Sequence, residues 1–385
     1  MKFDIEQPRP DELEITTLGP GPASGESIVV HLKDDEWIII DSCLSEGQVL
    51  PLEYLRGIGV NCKEQVKLVI CTHWHRDHIQ GLPEILNECE NAKFCLAPVG
   101  DFKGYLNVVL KLAGVDPMGS NTWNTLNKCL EALDNHNQRK PHLLTLNERF
   151  VHDGTKEMFA VGPSDEMYNR FCSSLLKIDP KQPQVEDIET MEGNLCSLAL
   201  SISYNGQKAL IGGDMEVGRS KQDKYNYHIC DDNCPQHEEC GWCDAIADDN
   251  VFAIEKPYHF VKLPHHSSAS AYCPKMWADG MAEDGPIATT TIFNCAQGED
   301  LPTKEMLGLY KDKCRALFIT NSVDERTEVH TKGFEGVEGV EVIDEIVEKA
   351  GVIVSRWHSQ EEGWNVQYFG SARKVDDGYM EKYHL

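Results

Sequence analysis

Residues 66–71 read VKLVIC, and they run directly into THWHRDH at residues 72–78 and GLP at residues 81–83. The first six residues form a nearly continuous apolar run, which is typical of a strand buried on both faces. Gly81-Leu82-Pro83 predicts the start of a helix that continues through Cys89. The histidine cluster therefore lies in a strand-to-helix loop at the carboxyl end of a strand, where α/β proteins place their functional sites.

Side chains of metal-ligand type are concentrated in that loop, namely His73, His75, Asp77 and His78. Neutral imidazole nitrogens and carboxylate oxygens bind zinc and the neighbouring first-row metals. Alternate residues in a turn can point the same way, so that one pair holds one ion and the next pair holds a second. A chance cluster of surface histidines is the plain alternative, but the position straight after a buried strand favours a metal site.

Strands and helices are predicted on both sides of the loop. The predicted strands are Leu13–Leu18, Ser27–Leu32, Trp37–Ile40, Val66–Cys71, Met158–Val161, Leu195–Tyr204, Gln207–Ile211, Phe260–Leu263, Ile287–Phe293, Ala316–Thr320, Gly351–Arg356 and Trp364–Phe369. The predicted helices are Pro51–Gly57, Gly81–Cys89, Tyr105–Leu112, Trp123–Leu133, one capped by Ser164, and Thr303–Lys313. Tight turns between the first three strands indicate an antiparallel start, and residues 178–193 are predicted to form a loop.

The overall charge narrows the class of partner. The chain has 385 residues and a formal net charge of −27. Nucleic-acid binding gets most of its affinity from Lys and Arg on phosphates, so this balance disfavours a general nucleic-acid binder, although bound cations would offset part of the charge. The N-terminus lacks the apolar segment of a signal peptide, and no run is long enough to span a bilayer. We therefore expect a cytoplasmic protein with reduced cysteines and no membrane partner.

The pattern His73-x-His75-x-Asp77-His78 resembles the hallmark motif of the metallo-β-lactamase superfamily. Later features follow in that family's order: Asp41 at the end of an early strand, Asp214 after Gly212-Gly213, and His266 in Leu-Pro-His-His-Ser-Ser. The resemblance covers about residues 13–370. It implies an α/β fold, a four-layer αββα sandwich, over residues 1–375, followed by a C-terminal tail at 376–385.

The resemblance also implies a ligand set for two metals. The first metal would be bound by His73, His75 and Asp214, and the second by Asp77, His78, Asp214 and His266. Asp77 would also orient the attacking water. His265 is expected to donate a proton or to lie just outside the ligands, and the alternative, in which His265 is itself a ligand, stays open.

Within the superfamily, Asn194-x-x-Ser197-Leu198, a hairpin, Gly-Gly-Asp and Pro-His-His-Ser-Ser resemble ComEC-like and phosphorylcholine esterase-type domains. In those groups the usual third histidine of the first metal site is absent, and the equivalent stretch of this sequence carries Asn194 and Cys196. Two positions depart from the pattern. The Gly expected after His-His is Ser267, and a later histidine is replaced by Leu301.

A second metal motif lies between Asp214 and His266. The spacing Cys230-x3-Cys234-x5-Cys240-x2-Cys243 fits a tetrahedral zinc site in a polar segment that has little core of its own. We therefore predict an inserted zinc knuckle at residues 219–250, with His228 and His237 as substitute ligands. The alternative is a set of redox-active or free cysteines. Such a knuckle offers a surface for a protein partner.

These features predict a hydrolase with two catalytic divalent metals, zinc first and manganese as the alternative, and one structural zinc. Two cations lower the pKa of a bound water and so generate hydroxide near neutral pH. The subgroup resemblance favours a phosphodiester substrate in a nucleotide, a nucleic acid or a phosphorylated small molecule. The alternatives are a thioester or amide metallohydrolase, and a regulatory binding module with a residual metal site. The sequence leaves the oligomeric state open.

Overall fold

The computed structural model describes residues 5–21, 25–97, 122–135, 140–175, 193–217, 241–294, 300–321 and 350–382. This part of the chain is built around two eight-stranded mixed sheets and also contains one two-stranded ribbon. The strands of the first sheet are β1 (Leu13–Gly19), β2 (Ser27–Lys33), β3 (Glu36–Ile40), β6 (Val66–Cys71), β7 (Lys93–Leu96), β8 (His142–Leu143), β16 (Gly351–Trp357) and β17 (Trp364–Gly370).

The second sheet is built from later parts of the chain. Its strands are β9 (Arg149–His152), β10 (Lys156–Gly162), β11 (Ala199–Tyr204), β12 (Gln207–Ile211), β13 (Phe260–Lys262), β14 (Ile287–Thr290), β15 (Ala316–Ile319) and β18 (Arg373–Val375). The spatial orders are β17-β16-β1-β2-β3-β6-β7-β8 and β18-β15-β14-β13-β12-β11-β10-β9. The ribbon pairs β4 (Leu44–Ser45) with β5 (Gln48–Val49).

Helices connect the strands. The α-helices are Leu50–Gly57, Cys62–Gln65, Arg76–Ile79, Leu82–Glu88, Thr122–Asn135, Asp165–Leu175, Gly241–Ala245, Val251–Glu255, Pro274–Asp279, Lys304–Lys313 and Asp377–Lys382. Short 3-10 turns are Gly193–Cys196, His265–Ser267 and Ala269–Ala271. None of the helices in the described part of the chain is both long and apolar enough to cross a bilayer.

The two sheets pack face to face, and helices cover their outer faces. On β15, Phe318 points into the core shared by the sheets, whereas Leu317 and Ile319 point to a second core beneath the helices. This alternation follows from the two-residue period of a strand and explains why the central strands are apolar throughout. The Thr17 and Thr289 hydroxyls, one from each sheet, are hydrogen-bonded at 2.8 Å. The predicted αββα sandwich is thus confirmed.

Most predicted strands are present, with differences near the site. The prediction of one strand over Leu195–Tyr204 was wrong at its start, because Gly193–Cys196 forms a 3-10 turn and β11 begins only at Ala199. Leu198 N donates to Thr72 O at 3.0 Å, which ties this segment to the THWHRDH loop rather than to a neighbouring strand of its own sheet. Likewise β14 ends at Thr290 instead of Phe293.

Several predictions concern residues that the structure does not describe. The helix Tyr105–Leu112, most of the loop at 178–193 and the cysteines Cys230, Cys234 and Cys240 lie outside the described residues. In the region predicted as a zinc knuckle, Cys243 lies in the helix Gly241–Ala245, and its thiol is hydrogen-bonded to that of Cys273. The domain limits stay predictions, although the tail contains the helix Asp377–Lys382 with its buried Tyr379.

Candidate metal centre

The candidate site lies at the carboxyl ends of strands from both sheets. Asp41 follows β3, and residues 72–78 follow β6, which is parallel to β3. In the second sheet Asp214 follows β12, and His266 follows β13, which is parallel to β12. Parallel strands end at the same edge, so the loops that carry these side chains meet there.

Asp41 holds the THWHRDH loop in place. Its two carboxylate oxygens accept hydrogen bonds from Thr72 N at 2.7 Å and from Thr72 Oγ1 at 2.6 Å. Its Oδ2 also lies 2.8 Å from His78 Nδ1. This bond places the Nδ1 proton of His78 on the Asp41 side and leaves Nε2 directed at the centre of the cluster.

Two groups of ligand-type atoms converge around Asp214. One consists of His73, His75 and Asp214, with His73 Nε2 lying 3.5 Å from Asp214 Oδ2. The other consists of Asp77, His78, Asp214 and His266, and within each group the atoms lie within 4.8 Å of one another. These are the two ligand sets expected from the resemblance, and Asp214 is shared between them.

The second group is compact. His266 Nε2 lies 3.0 Å from Asp77 Oδ2 and 4.0 Å from Asp214 Oδ2. His78 Nε2 lies 3.4 Å from Asp214 Oδ1 and 3.5 Å from Asp77 Oδ2. All of these residues are buried.

The same side chains leave buried polar atoms unsatisfied. His73 Nε2, His78 Nε2 and Asp214 Oδ1 have no hydrogen-bond partner among the described residues. Each such atom costs about 1–3 kcal/mol when it is taken from water without a partner. Three of them in one small volume fit a cation-binding site, because one metal beside His73 and a second beside His78 would together satisfy all three.

The pKa shifts of His73, His75 and Asp214 also suit metal binding. Burial, together with the charge of neighbouring histidines, lowers the pKa of His73 well below its usual value, and burial lowers that of His75. Burial alone would raise the pKa of Asp214, but His78, His265 and His73 lower it well below the usual value. Neutral imidazoles and an ionised carboxylate are the forms that bind zinc.

Gly213 explains why Asp214 follows two glycines. Its φ of +52° lies in the left-handed region, and a Cβ at this position would lie 2.3 Å from Leu198 O. The tight turn allows Asp214 N to donate to Ser197 Oγ at 2.7 Å. The turn therefore sets where the shared carboxylate points.

The loop that carries His266 has an unusual backbone. His265, His266 and Ser267 all have positive φ values, of 45°, 47° and 63°. Such a conformation is costly for residues with a side chain, which accounts for the glycine expected at the third position. Ser267 compensates through its hydroxyl, which lies 2.7 Å from Thr290 Oγ1.

His265 belongs to neither group of ligand atoms. Its Nδ1 lies 3.0 Å from Glu216 Oε1, and its Nε2 lies 3.5 Å from Asn194 Nδ2. Burial would lower the pKa of His265, but the carboxylates of Asp214, Glu216 and Asp77 raise it to about 9. Asn194, in the stretch that lacks the superfamily's usual third histidine, contacts both His265 and Glu216.

Glu216 was not predicted from the sequence, and its carboxylate accepts a hydrogen bond from Ser270 Oγ at 3.0 Å. Its position two residues after Asp214, in Gly-Gly-Asp-Met-Glu, could have indicated that it lies near the site.

A cavity of about 620 Å³ opens beside the two groups. Its lining residues are Leu44, His75, Arg76, Asp77, Gln80, Asp214, His265, His266, Phe293 and Asn294. Phe293 stacks on the His266 ring with centroids 5.4 Å apart. Leu301, the residue in place of the expected later histidine, pairs with Phe293 through backbone hydrogen bonds of 2.8 and 2.9 Å.

Comparison with known proteins agrees with this site. The family model described as the metallo-beta-lactamase superfamily matches residues 20–110, which include the THWHRDH loop. The search of curated proteins gave no match. The match supports a relationship of this part of the chain to the metallo-beta-lactamase superfamily.

Similar solved structures share little sequence with this chain. Hydrolase AbOPH of the beta lactamase superfamily is 14% identical, with a TM-score of 0.34 over 56% of this chain and 75% of the other. Zinc-bound PqqB from Methylobacterium extorquens is 12% identical, with a TM-score of 0.27 over 54% and 67%. A beta-lactamase domain protein from Burkholderia ambifaria is 14% identical, with a TM-score of 0.30 over 55% and 54%.

Proposed function

We propose that the protein is a binuclear metal-dependent hydrolase that acts on a phosphodiester. The observation that carries this proposal is the pair of ligand groups that share Asp214 beside an open cavity. A pair of divalent cations bound there supplies an activated water and Lewis-acid polarisation of the bond under attack. His73, His75 and Asp214 would hold one cation, and Asp77, His78, Asp214 and His266 the other.

Asp77 and His265 would take part directly in the hydrolysis. Asp77 lines the cavity as well as facing His266 and His78, and its carboxylate would orient the attacking water. His265 lines the same cavity with its Nδ1 facing Glu216. Glu216 would thereby fix the ring, so that His265 Nε2 delivers a proton to the leaving oxygen.

The positive charge of Arg76 at the cavity favours an anionic substrate. Arg76 is exposed, lines the cavity, and makes no ion pair with any described residue. An unpaired guanidinium is notable in a chain with 63 acidic and 36 basic residues, and it matches the planar geometry of a phosphate. The resemblance to ComEC-like and phosphorylcholine esterase-type domains also favours a phosphodiester substrate. A nucleotide, a nucleic acid and a phosphorylated small molecule all carry such a group.

The first test is hydrolysis of bis(p-nitrophenyl) phosphate by protein loaded with zinc or manganese. We expect metal-dependent release of nitrophenol, reduced by at least about 100-fold in Asp77→Ala, because that change removes a ligand and the water-orienting carboxylate together. Asp153→Ala is the matched control, since Asp153 lies in an exposed turn and, among the described residues, its carboxylate contacts Thr155, Lys156 and, at 4.0 Å, Lys33. It should leave the rate unchanged.

A panel with a thioester and an anilide separates the alternatives. Hydrolysis of either in preference to the phosphodiester would contradict the proposed substrate class and favour the other metallohydrolases. Binding of two metals without hydrolysis of any of the three would favour a regulatory module with a residual metal site.

A further inference from the structure

A buried ion pair lies behind His266 and was not singled out in the sequence. Lys262 Nζ lies 2.5 Å from Glu26 Oε2, and both side chains are 0% exposed. Removing two charges from water is costly, and such a pair is tolerated only where further hydrogen bonds compensate. Lys262 Nζ makes one of these by donating to Leu263 O at 2.8 Å.

The ion pair is linked to His266 by a directional chain of hydrogen bonds. Thr291 Oγ1 donates to Glu26 Oε2 at 2.7 Å, and His266 Nδ1 lies 2.8 Å from Thr291 Oγ1. A threonine hydroxyl has a single proton, and the carboxylate takes it. The hydroxyl must therefore accept from Nδ1, which leaves Nε2 as the nitrogen that faces Asp77 and Asp214.

The same residues join the two halves of the site. Glu26 immediately precedes β2 of the first sheet, and its backbone N donates to Asp77 O at 2.9 Å. Lys262 ends β13 and Thr291 follows β14, both in the second sheet. Glu26 therefore contacts the THWHRDH loop through its backbone. Its carboxylate contacts Lys262 and Thr291, which lie next to His266.

We propose that Lys262, Glu26 and Thr291 are positioning residues that fix the His266 imidazole with Nε2 toward the second metal. This inference rests on the proposed metal centre but not on its substrate. The Lys262 ammonium keeps Glu26 an acceptor, Glu26 orients the Thr291 hydroxyl, and that hydroxyl fixes the tautomer and rotation of the ring. Partners of this kind typically change metal affinity by about 10–100-fold when they are lost.

Thr291→Val tests the proposal, because it removes the hydroxyl while keeping the side-chain shape. In a competition titration of the full chain with zinc and a chromophoric chelator, we expect the second zinc to bind about 10–100-fold more weakly and the first unchanged. Thr291→Ser keeps the hydroxyl and should restore the second affinity. Lys262→Met combined with Glu26→Leu removes both charges together and should reproduce the selective loss.

Thr289→Val is the matched control. Thr289 lies two residues earlier, is equally buried, and its hydroxyl also makes a hydrogen bond across the two sheets, to Thr17. Its hydroxyl is bonded to Thr17 rather than to a candidate ligand, so its loss should leave both zinc affinities unchanged.

The proposal is overturned if Thr291→Val binds the second zinc as tightly as the wild type, or if Thr289→Val weakens it equally. If the wild type binds no pair of zinc ions, the metal centre and this inference fall together. Normal zinc binding without phosphodiester hydrolysis would contradict the proposed function alone.

Discussion

Each candidate ligand histidine is useful only if the correct ring nitrogen is left free. His78 bonds to Asp41 through Nδ1, and His266 bonds to Thr291 through Nδ1, so both present Nε2 to the shared carboxylates. An imidazole whose second nitrogen is held in this way loses little orientational freedom when it binds a metal. The centre is therefore largely preorganised by residues that would touch no metal.

His78 provides a prediction about pH. Burial opposes its charge, but Asp214, Asp77 and Asp41 raise its pKa well above the usual value in the metal-free protein. The raised pKa favours the protonated ring, so zinc has to displace a proton from Nε2. We expect zinc binding to release protons and to strengthen as pH rises, as measured by isothermal titration calorimetry in buffers of different ionisation enthalpy. A binding enthalpy independent of the buffer would contradict this.

The site residues that were predicted from the sequence all lie next to a recognisable local pattern. His73 to His78 follow a buried strand, and Asp214 follows a glycine pair. Glu26 and Lys262 are 236 positions apart and gain their role only when the two sheets meet. A single sequence carries no periodicity that relates such distant positions, so this network became visible only in the structure.

Strand β12 is flanked by two turns that each contain a glycine with positive φ, and the two glycines are needed for different reasons. Gly206 enters the strand with φ of +85° and nothing within 4 Å of a Cβ, whereas Gly213 follows it with φ of +52° and a Cβ would meet Leu198 O. The first turn needs only a left-handed residue. The second also needs the absence of a side chain, because the Asp214 loop packs on the segment that contacts Thr72.

Gly213→Ala should therefore be more harmful than Gly206→Ala. Both changes place a side chain at positive φ, which costs about 1–2 kcal/mol. Only Gly213→Ala adds a backbone clash, and we expect a further loss of about 1–3 kcal/mol in the free energy of unfolding, together with weaker zinc binding. Urea unfolding of the two variants measures the difference. Equal destabilisation would show that the close packing beneath Asp214 has no energetic consequence.

At the level of elements, the sequence predicted most of the buried, apolar strands, but it missed the four-residue strand β7. It failed where backbone contacts to the site override strand propensity, as in the 3-10 turn Gly193–Cys196. It also missed the helices Gly241–Ala245 and Val251–Glu255, because polar and cysteine-rich composition outweighed their short apolar stretches.

For the whole molecule, the candidate centre exists only when both sheets are in place. The first sheet supplies the loop with His73, His75, Asp77 and His78, and the second supplies Asp214 and His266. Neither sheet alone supplies all the ligands for either ion. Metal binding is accordingly expected to favour the closed sandwich, since a ligand that binds only the folded state stabilises it.

The most direct test is anomalous diffraction at the zinc edge from crystals of the zinc-loaded protein. We expect two peaks beside the Asp214 carboxylate, one near His73 and His75 and the other near His78 and His266. The absence of both peaks, or zinc bound only elsewhere in the chain, would contradict it.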